Sequence, residues 1–171
     1  MASSGLTIDT PIPSGSWSLY FHAHDNPKWN LASFTLVGQV KTWCEFWSLI
    51  EGLRTEAIAD GMFFFMRDPI PPLWENHQNI RGGSYSIRVQ RKDAGETYVS
   101  YVIATMLGTL TKDGAANTVN GISISPKKGF NILKMWNTDA ARFNKPTDIH
   151  ILTKEIRPED ILYTPFVEKK M

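Results

Sequence analysis

Residues 119–136 read Val119-Asn120-Gly121-Ile122-Ser123-Ile124-Ser125-Pro126-Lys127-Lys128-Gly129-Phe130-Asn131-Ile132-Leu133-Lys134-Met135-Trp136. Val119 to Ser125 alternates, Pro126 to Gly129 supplies turn formers, and Phe130 to Trp136 is a second strand-like run. Two such runs around a Pro/Gly turn predict an antiparallel hairpin with a lysine-rich tip. Side chains alternate across a strand, so Ile132, Lys134 and Trp136 share one face, and Leu133 and Met135 share the other. With Leu133 and Met135 packed beneath helices, Lys134 and Trp136 face the open side. Their spacing of two residues covers roughly 6.5 Å, the reach from a nucleobase toward its phosphates.

The sequence around this hairpin supplies its sheet and its helices. Trp17, Leu19 and Phe21 alternate on one face of a predicted strand, and a second strand is expected from about Ser33 to Val40. Thr42 with Glu45 three residues on reads as a capping box. Behind it, Phe46, Leu49, Ile50 and Leu53 form the apolar stripe of a helix that ends near Gly52 or Arg54. Gly61 to Met66 is a short apolar run, expected as a strand. Gly82-Gly83 opens another, with Tyr85, Ile87 and Val89 on one side and Arg88 and Gln90 on the other. Val99, Val102, Ile103, Met106, Leu107 and Leu110 mark a second amphipathic helix. A turn at Lys112-Asp113-Gly114, a short helix capped by Asp139 and reaching Phe143, and a closing strand at Phe166-Val167 complete the reading. Ile149 to Leu152 is ambiguous. The fold class is α+β: a curved, mainly antiparallel sheet with helices on one face.

The chain has 171 residues, 18 Lys plus Arg and 17 Asp plus Glu, for a net charge of +1. That balance excludes a polybasic coat along nucleic acid and an acidic solvating tail. Hydrophobic content of 42% and charged content of 20% describe a globular protein. One cysteine, Cys44, excludes an internal disulfide framework, and on its helix it reads as a small, partly buried residue. No apolar stretch approaches the roughly 20 residues of a membrane helix. The start of the chain lacks the basic leader and apolar core of a secretory signal, and a cytoplasmic setting is expected. Residues 1–16 are expected to form a flexible arm that becomes ordered near Pro11, and residues 17–171 a single domain.

Enzyme motifs are sparse. There is no Gly-rich phosphate loop, GxSxG, CxxC or HExxH. His22 and His24 beside Asp25 open a metal site or form a solvated loop pair; no second cluster completes a ligand set, so neither metal nor cofactor is expected. The six tryptophans say more. Trp17, on an alternating strand, reads as core. Trp29 and Trp74 lie in loops beside prolines and charges, off any apolar period. Such residues either pack inward or clamp a flat ligand between them. The three prolines of Asp68 to Glu75 forbid regular structure there, leaving a stiffened loop that carries Trp74 and Glu75. Glu75 is placed to accept hydrogen bonds from the edge of a ring held by Trp74. A cationic ring gains cation–π attraction from the indoles and Coulomb attraction from the carboxylate.

Six segments together, W-S-L-Y-F at 17–21, P-K-W-N-L at 27–31, E-F-W-S-L at 45–49, P-P-L-W-E at 71–75, R-G-G-S-Y at 81–85 and I-L-K-M-W at 132–136, resemble the cap-binding eukaryotic translation initiation factor 4E family. The resemblance covers Pro11 to Trp136 well and the C-terminal part loosely. It implies a curved antiparallel sheet of about eight strands with up to three helices on its convex face. It implies that Trp29 and Trp74 sandwich 7-methylguanine, that Glu75 accepts from its N1–H and exocyclic amine, and that Trp136 lies near the N7-methyl. Lys127 matches a basic phosphate contact, with Lys128 and Lys134 nearby. Trp47 matches the convex-face tryptophan that takes helical peptides from scaffold 4G-type proteins and repressors, Pro11 matches the proline of the arm beneath it, and Trp43, one helical turn before Trp47, is expected to join that surface. The implied protein is a cytoplasmic, monomeric translation initiation factor with capped messenger RNA as its ligand.

The chain also departs from the family pattern. Tyr20 and Tyr85 stand where tryptophan is usual, Ser84 where a phosphate-binding arginine is usual, and Ile132 where a further basic contact is expected. Trp43 replaces a smaller residue on the partner helix, and Ser100 an apolar one on the second helix. These changes leave the base clamp intact and alter the phosphate grip and the partner surface. Two other classes fit the same residues: a paralogue that binds caps weakly and represses translation or sequesters scaffold proteins, and a cap or nucleotide hydrolase built on a similar slot. The hydrolase needs a carboxylate cluster or metal ligands near the phosphates, and the lysine hairpin offers only cations.

Overall fold

Met62-Phe63-Phe64-Phe65-Met66 has no polar position because the strand it forms is covered on both faces. Phe63 and Phe65 join the core beneath the helices, whereas Phe64 and Met66 join a smaller apolar cluster on the opposite face. In this computed structural model, residues 9–112 and 118–167 are described. Residues 1–8 of the expected arm, and Asp113 and Gly114 of the expected turn, lie outside them.

Among the described residues seven strands form one antiparallel sheet: β1 (Trp17–His22), β2 (Phe34–Val40), β3 (Met62–Arg67), β4 (Gly83–Gln90), β5 (Val119–Pro126), β6 (Phe130–Asn137) and β7 (Leu162–Pro165). Their order across the curved sheet is β2-β1-β3-β5-β6-β4-β7. Three α-helices of the described residues, α1 (Trp43–Leu53), α2 (Thr55–Asp60) and α3 (Ala94–Met106), cover one face. The β5–β6 hairpin forms as its sequence dictates, with Ile124 opposite Leu133 and Ile122 opposite Met135. Gly129, at φ 85°, takes the left-handed turn position that glycine tolerates best. Leu133 and Met135 lie in the helix-side core and Trp136 on the other face, as alternation requires.

The Thr42 hydroxyl caps α1, accepting from Glu45 N at 3.2 Å. Helix α2 was not legible, because a six-residue helix burying only Ile58 and Ala59 carries no measurable period. Its place is fixed by contact: a Cβ on Gly95 of α3 would stand 2.3 Å from the Thr55 carbonyl oxygen. Helix α3 starts and ends earlier than its apolar stripe suggests. The chain turns at Leu107-Gly108, so Leu110 is buried from beyond the helix.

Several local expectations are corrected. Asp139 to Phe143 is one turn and no helix: Asp139 accepts from Ala141 N, Phe143 N returns to Asp139 O, and Pro146 follows. The closing strand is Leu162–Pro165, paired to β4, and Phe166 lies beyond it. Its outward Leu162 is 66% exposed, so no apolar alternation announced it. Ile149 makes a single bridge to Thr111. Cys44 is exposed. His22 belongs to β1 and is fully buried, while His24 is exposed, so the two do not form a solvated pair.

Candidate functional site

The sheet face away from the helices carries a slot of about 450 Å³. Its floor follows from β-strand alternation: Phe64 of β3, Ser123 and Ser125 of β5, and Lys134 and Trp136 of β6. Two loops supply the walls. Trp29 comes from the β1–β2 connection, and Pro72, Leu73, Trp74 and Glu75 from the β3–β4 connection. Phe166 closes one end, with its ring centroid 5.2 Å from that of Trp136. Trp29, Trp74, Glu75, Trp136, Lys127 and Lys134 are therefore brought together. Lys128 is not among them; it lines a second depression with Arg88, Phe130 and Glu155.

Both wall tryptophans are 50% exposed, which for so large an apolar ring leaves stackable surface open to water. Trp29 rests on the buried His22 ring at 3.8 Å with the planes 3° apart. Just beyond it, the Asn30 side chain accepts from Ser33 N, and Ser33 Oγ reaches back to Asn30. The Trp74 loop is fastened at both ends. Asp68 accepts from Ser16, Ser18 and Gln39 at its start. The buried Asn79 donates to the Pro71 and Leu73 carbonyls at its end. Asn120 of β5 in turn donates to Asn79 Oδ1 and the Gln78 carbonyl, and accepts from Arg67. Burial lowers the affinity of Arg67 for its proton.

The slot carries charges of both signs, Glu75 against Lys127 and Lys134. Among the described residues Glu75 makes no ion pair or hydrogen bond, so its carboxylate oxygens remain open acceptors. Lys134, on the β6 floor, is held below the usual lysine range, first by partial desolvation and second by the charge of Lys127. Two cations that repel each other at a slot mouth are relieved by an anion. The hairpin tip is not loose: Lys127 N donates to Phe130 O, and Arg91 donates to Lys127 O at 2.6 Å. Trp136 is almost buried and its Nε1 donates to Ser123 Oγ, so it presents ring surface and no free donor. Ile132, which offers no charge, lies opposite Arg88, whose guanidinium sits 3.6 Å from the Phe130 ring centroid. Ser84 is buried.

On the helix side, Trp47 is 51% exposed, and Trp43 is partly buried with its edge against Phe46. Pro11 is exposed and bridges to Thr42, so the arm runs beside the first turn of α1. Ser100 is exposed on α3. The three expected partner residues thus gather at the start of α1. Sequence reasoning missed His22, Asn79, Asn120 and Phe166. Asn79, Asn120 and Phe166 make contacts distant in the chain and His22 is buried by β2 and β3, and only the polarity of the two asparagines amid strand and loop signals hinted at any of this.

A sheet covered by helices on one face thus carries on its open face a slot lined by aromatic side chains, one carboxylate and two lysines. A family profile described as eukaryotic initiation factor 4E matches residues 14–164, and the chain belongs to that family. The family is one of binding proteins and not of enzymes. The chain is 24% identical to eukaryotic translation initiation factor 4E-1A of Danio rerio over 139 residues, and 23% identical to the Homo sapiens eukaryotic translation initiation factor 4E over 143. These matches cover 79% and 81% of the chain but 64% and 66% of the relatives, just under two thirds of their length. Among solved structures, the complex of C. elegans eIF4E-3 with the 4E-binding protein Mextli and a cap analogue superposes with a TM-score of 0.69 at 19% identity, covering 78% of this chain and 77% of that one. A schistosome eIF4E complexed with m7GpppA and 4E-BP gives a TM-score of 0.69 at 21% identity, covering 79% and 75%. Among the described residues no helix is long and apolar enough to cross a membrane.

Proposed function

We propose that the chain binds the 7-methylguanosine 5′ cap of messenger RNA in the slot and acts in translation initiation. The observation that carries this reading is the pairing of two half-exposed loop indoles with an unengaged carboxylate on one wall. Trp29 and Trp74 stack on the two faces of the base, and Glu75 accepts from its N1–H and exocyclic amine. Trp136 flanks the N7-methyl side, and Lys134 and Lys127 neutralise the phosphates. Methylation at N7 makes the base cationic, so the indoles and Glu75 prefer it to plain guanine. Selectivity then comes from charge inside one slot, consistent with a chain of net charge +1. The cap analogue and the dinucleotide cap carried by the family neighbours above support the assignment.

The helix-side patch of Pro11, Trp43 and Trp47 receives a helical peptide from a scaffold 4G-type factor or a 4E-binding repressor. On this reading the protein works in the cytoplasm as a single copy. A second reading is favoured by Ser84 and Ile132: with no charge at either position, the phosphate grip is weaker, which suits a paralogue that competes for scaffold proteins. Retention on immobilised 7-methyl-GTP tests the assignment. Release by free 7-methyl-GTP but not by GTP supports it, and failure to be retained by a folded protein contradicts it.

A further inference from the structure

His22 is the last residue of β1, has no exposed surface, and lies in register with Phe34 of β2 and Met62 of β3. Its ring makes three contacts at once. One face lies flat under the Trp29 indole, 3.8 Å away and 3° from parallel. Nδ1 stands 2.9 Å from the Ala23 carbonyl oxygen, and Nε2 stands 2.7 Å from the Lys28 carbonyl oxygen. Ala23 and Lys28 are the two ends of the loop that delivers Trp29. A carbonyl only accepts, so the ring supplies the proton wherever such a contact is a hydrogen bond. A neutral imidazole has one N–H, so the buried ring lies between both ends of the loop, hydrogen-bonds one of them in that form, and offers the indole a flat bed. The Phe34 ring, edge-on at 4.9 Å, keeps His22 from tilting.

We infer that His22 is the positioning residue of the slot: it sets the plane of Trp29 before any ligand arrives. The inference rests on the cap-slot reading. Without the bed, the half-exposed indole samples other rotamers, and binding must first order it. His22 touches no ligand in this account, because Trp29 stands between it and the slot.

Three substitutions separate the ring from its nitrogens. His22→Leu removes both, His22→Phe restores a flat ring, and His22→Gln restores hydrogen-bonding groups without a ring. In ligand-free protein, the 15N heteronuclear NOE of the Trp29 indole N–H, assigned through Trp29→Phe, is expected to report a rigid side chain in wild type and His22→Phe. It is expected to report a mobile one in His22→Leu and His22→Gln. Affinity for 7-methyl-GTP should fall about tenfold in the last two and recover in His22→Phe. In a Trp29→Ala background all four residues at position 22 should bind alike, since the effect passes through the indole. A general loss of folding would persist in that background. Wild type that ignores 7-methyl-GTP removes the cap reading, while the ligand-free NOE still judges His22. A Trp29 indole as rigid in His22→Leu as in wild type, or rescue by Gln and not by Phe, overturns the inference.

Discussion

Asn120 donates from β5 to Asn79 Oδ1 at 2.9 Å, and both side chains are buried. Through this contact the loop bearing Trp74 is anchored to the sheet that bears Lys134 and Trp136. Both wall loops of the slot are therefore fastened: that of Trp74 by amides, and that of Trp29 against an imidazole.

Asn79→Ala should unfasten the Trp74 wall. It removes the donor to two carbonyls and leaves Asn120 short of a partner. Stranded buried polar groups cost about 1–3 kcal/mol, so chemical denaturation should show a loss of that order. The affinity of the folded fraction for 7-methyl-GTP should fall as well. Unchanged affinity would mean that the prolines alone stiffen the loop.

The helical and strand elements were legible where one face of a short segment meets one environment. Thr42 with Glu45 announced α1, the apolar run from Gly61 announced a strand, and the hairpin tip announced itself by Pro126 and Gly129. Trp29, Trp74 and Glu75 stood out as aromatic and charged residues off any period. What was illegible is what long-range contact decides. His22 reads as loop polarity until β2 and β3 bury it; α2 is too short to show a period; Leu162–Pro165 becomes a strand only because β4 offers it an edge. Lys128 and Lys127 are adjacent in sequence yet face different depressions, a separation set by the geometry of the turn.

Removing the carboxylate should weaken base binding without unfolding the protein. Glu75 is exposed and unengaged among the described residues, so the fold owes it little. Charge-assisted hydrogen bonds contribute about 1.5–3 kcal/mol, and Glu75→Ala should lose on that scale. Glu75→Gln, which keeps one acceptor, should lose less. Isothermal titration with 7-methyl-GTP orders the three proteins; normal binding by Glu75→Ala would remove the carboxylate from the site.

Lys134 should carry the advantage of a triphosphate over a monophosphate analogue, and Lys134→Ala should reduce that ratio more than Lys128→Ala. Its folded-state proton affinity is depressed by desolvation and by Lys127. The sign follows: with the unfolded chain holding the proton more tightly, ligand-free stability rises with pH between the depressed value and 10.5. A bound phosphate restores the charged form, so the triphosphate-to-monophosphate affinity ratio should fall as pH climbs through the same window. Taking the ratio cancels titration of the base. A ratio that is flat with pH and untouched by Lys134→Ala would assign the phosphates elsewhere.

Trp47→Ala should abolish capture of a helical 4E-binding peptide and spare cap binding, because Trp47 is half exposed and stands across the sheet from the slot. Trp43→Ala should cost peptide affinity and some stability together, since its ring also packs against the core. Fluorescence polarisation with a labelled peptide, beside retention on immobilised 7-methyl-GTP, separates the two faces. Joint loss of both activities in Trp47→Ala would indicate unfolding.

On the proposed reading the slot selects a cationic methylated base by stacking it between Trp29 and Trp74. Titrating intrinsic tryptophan fluorescence with 7-methyl-GTP and GTP in parallel tests it most directly. Saturable quenching by 7-methyl-GTP is expected, with far weaker quenching by GTP and a loss of about 1–3 kcal/mol in Trp29→Ala and in Trp74→Ala. Equal affinity for the two nucleotides, or full 7-methyl-GTP affinity in either alanine variant, would contradict it.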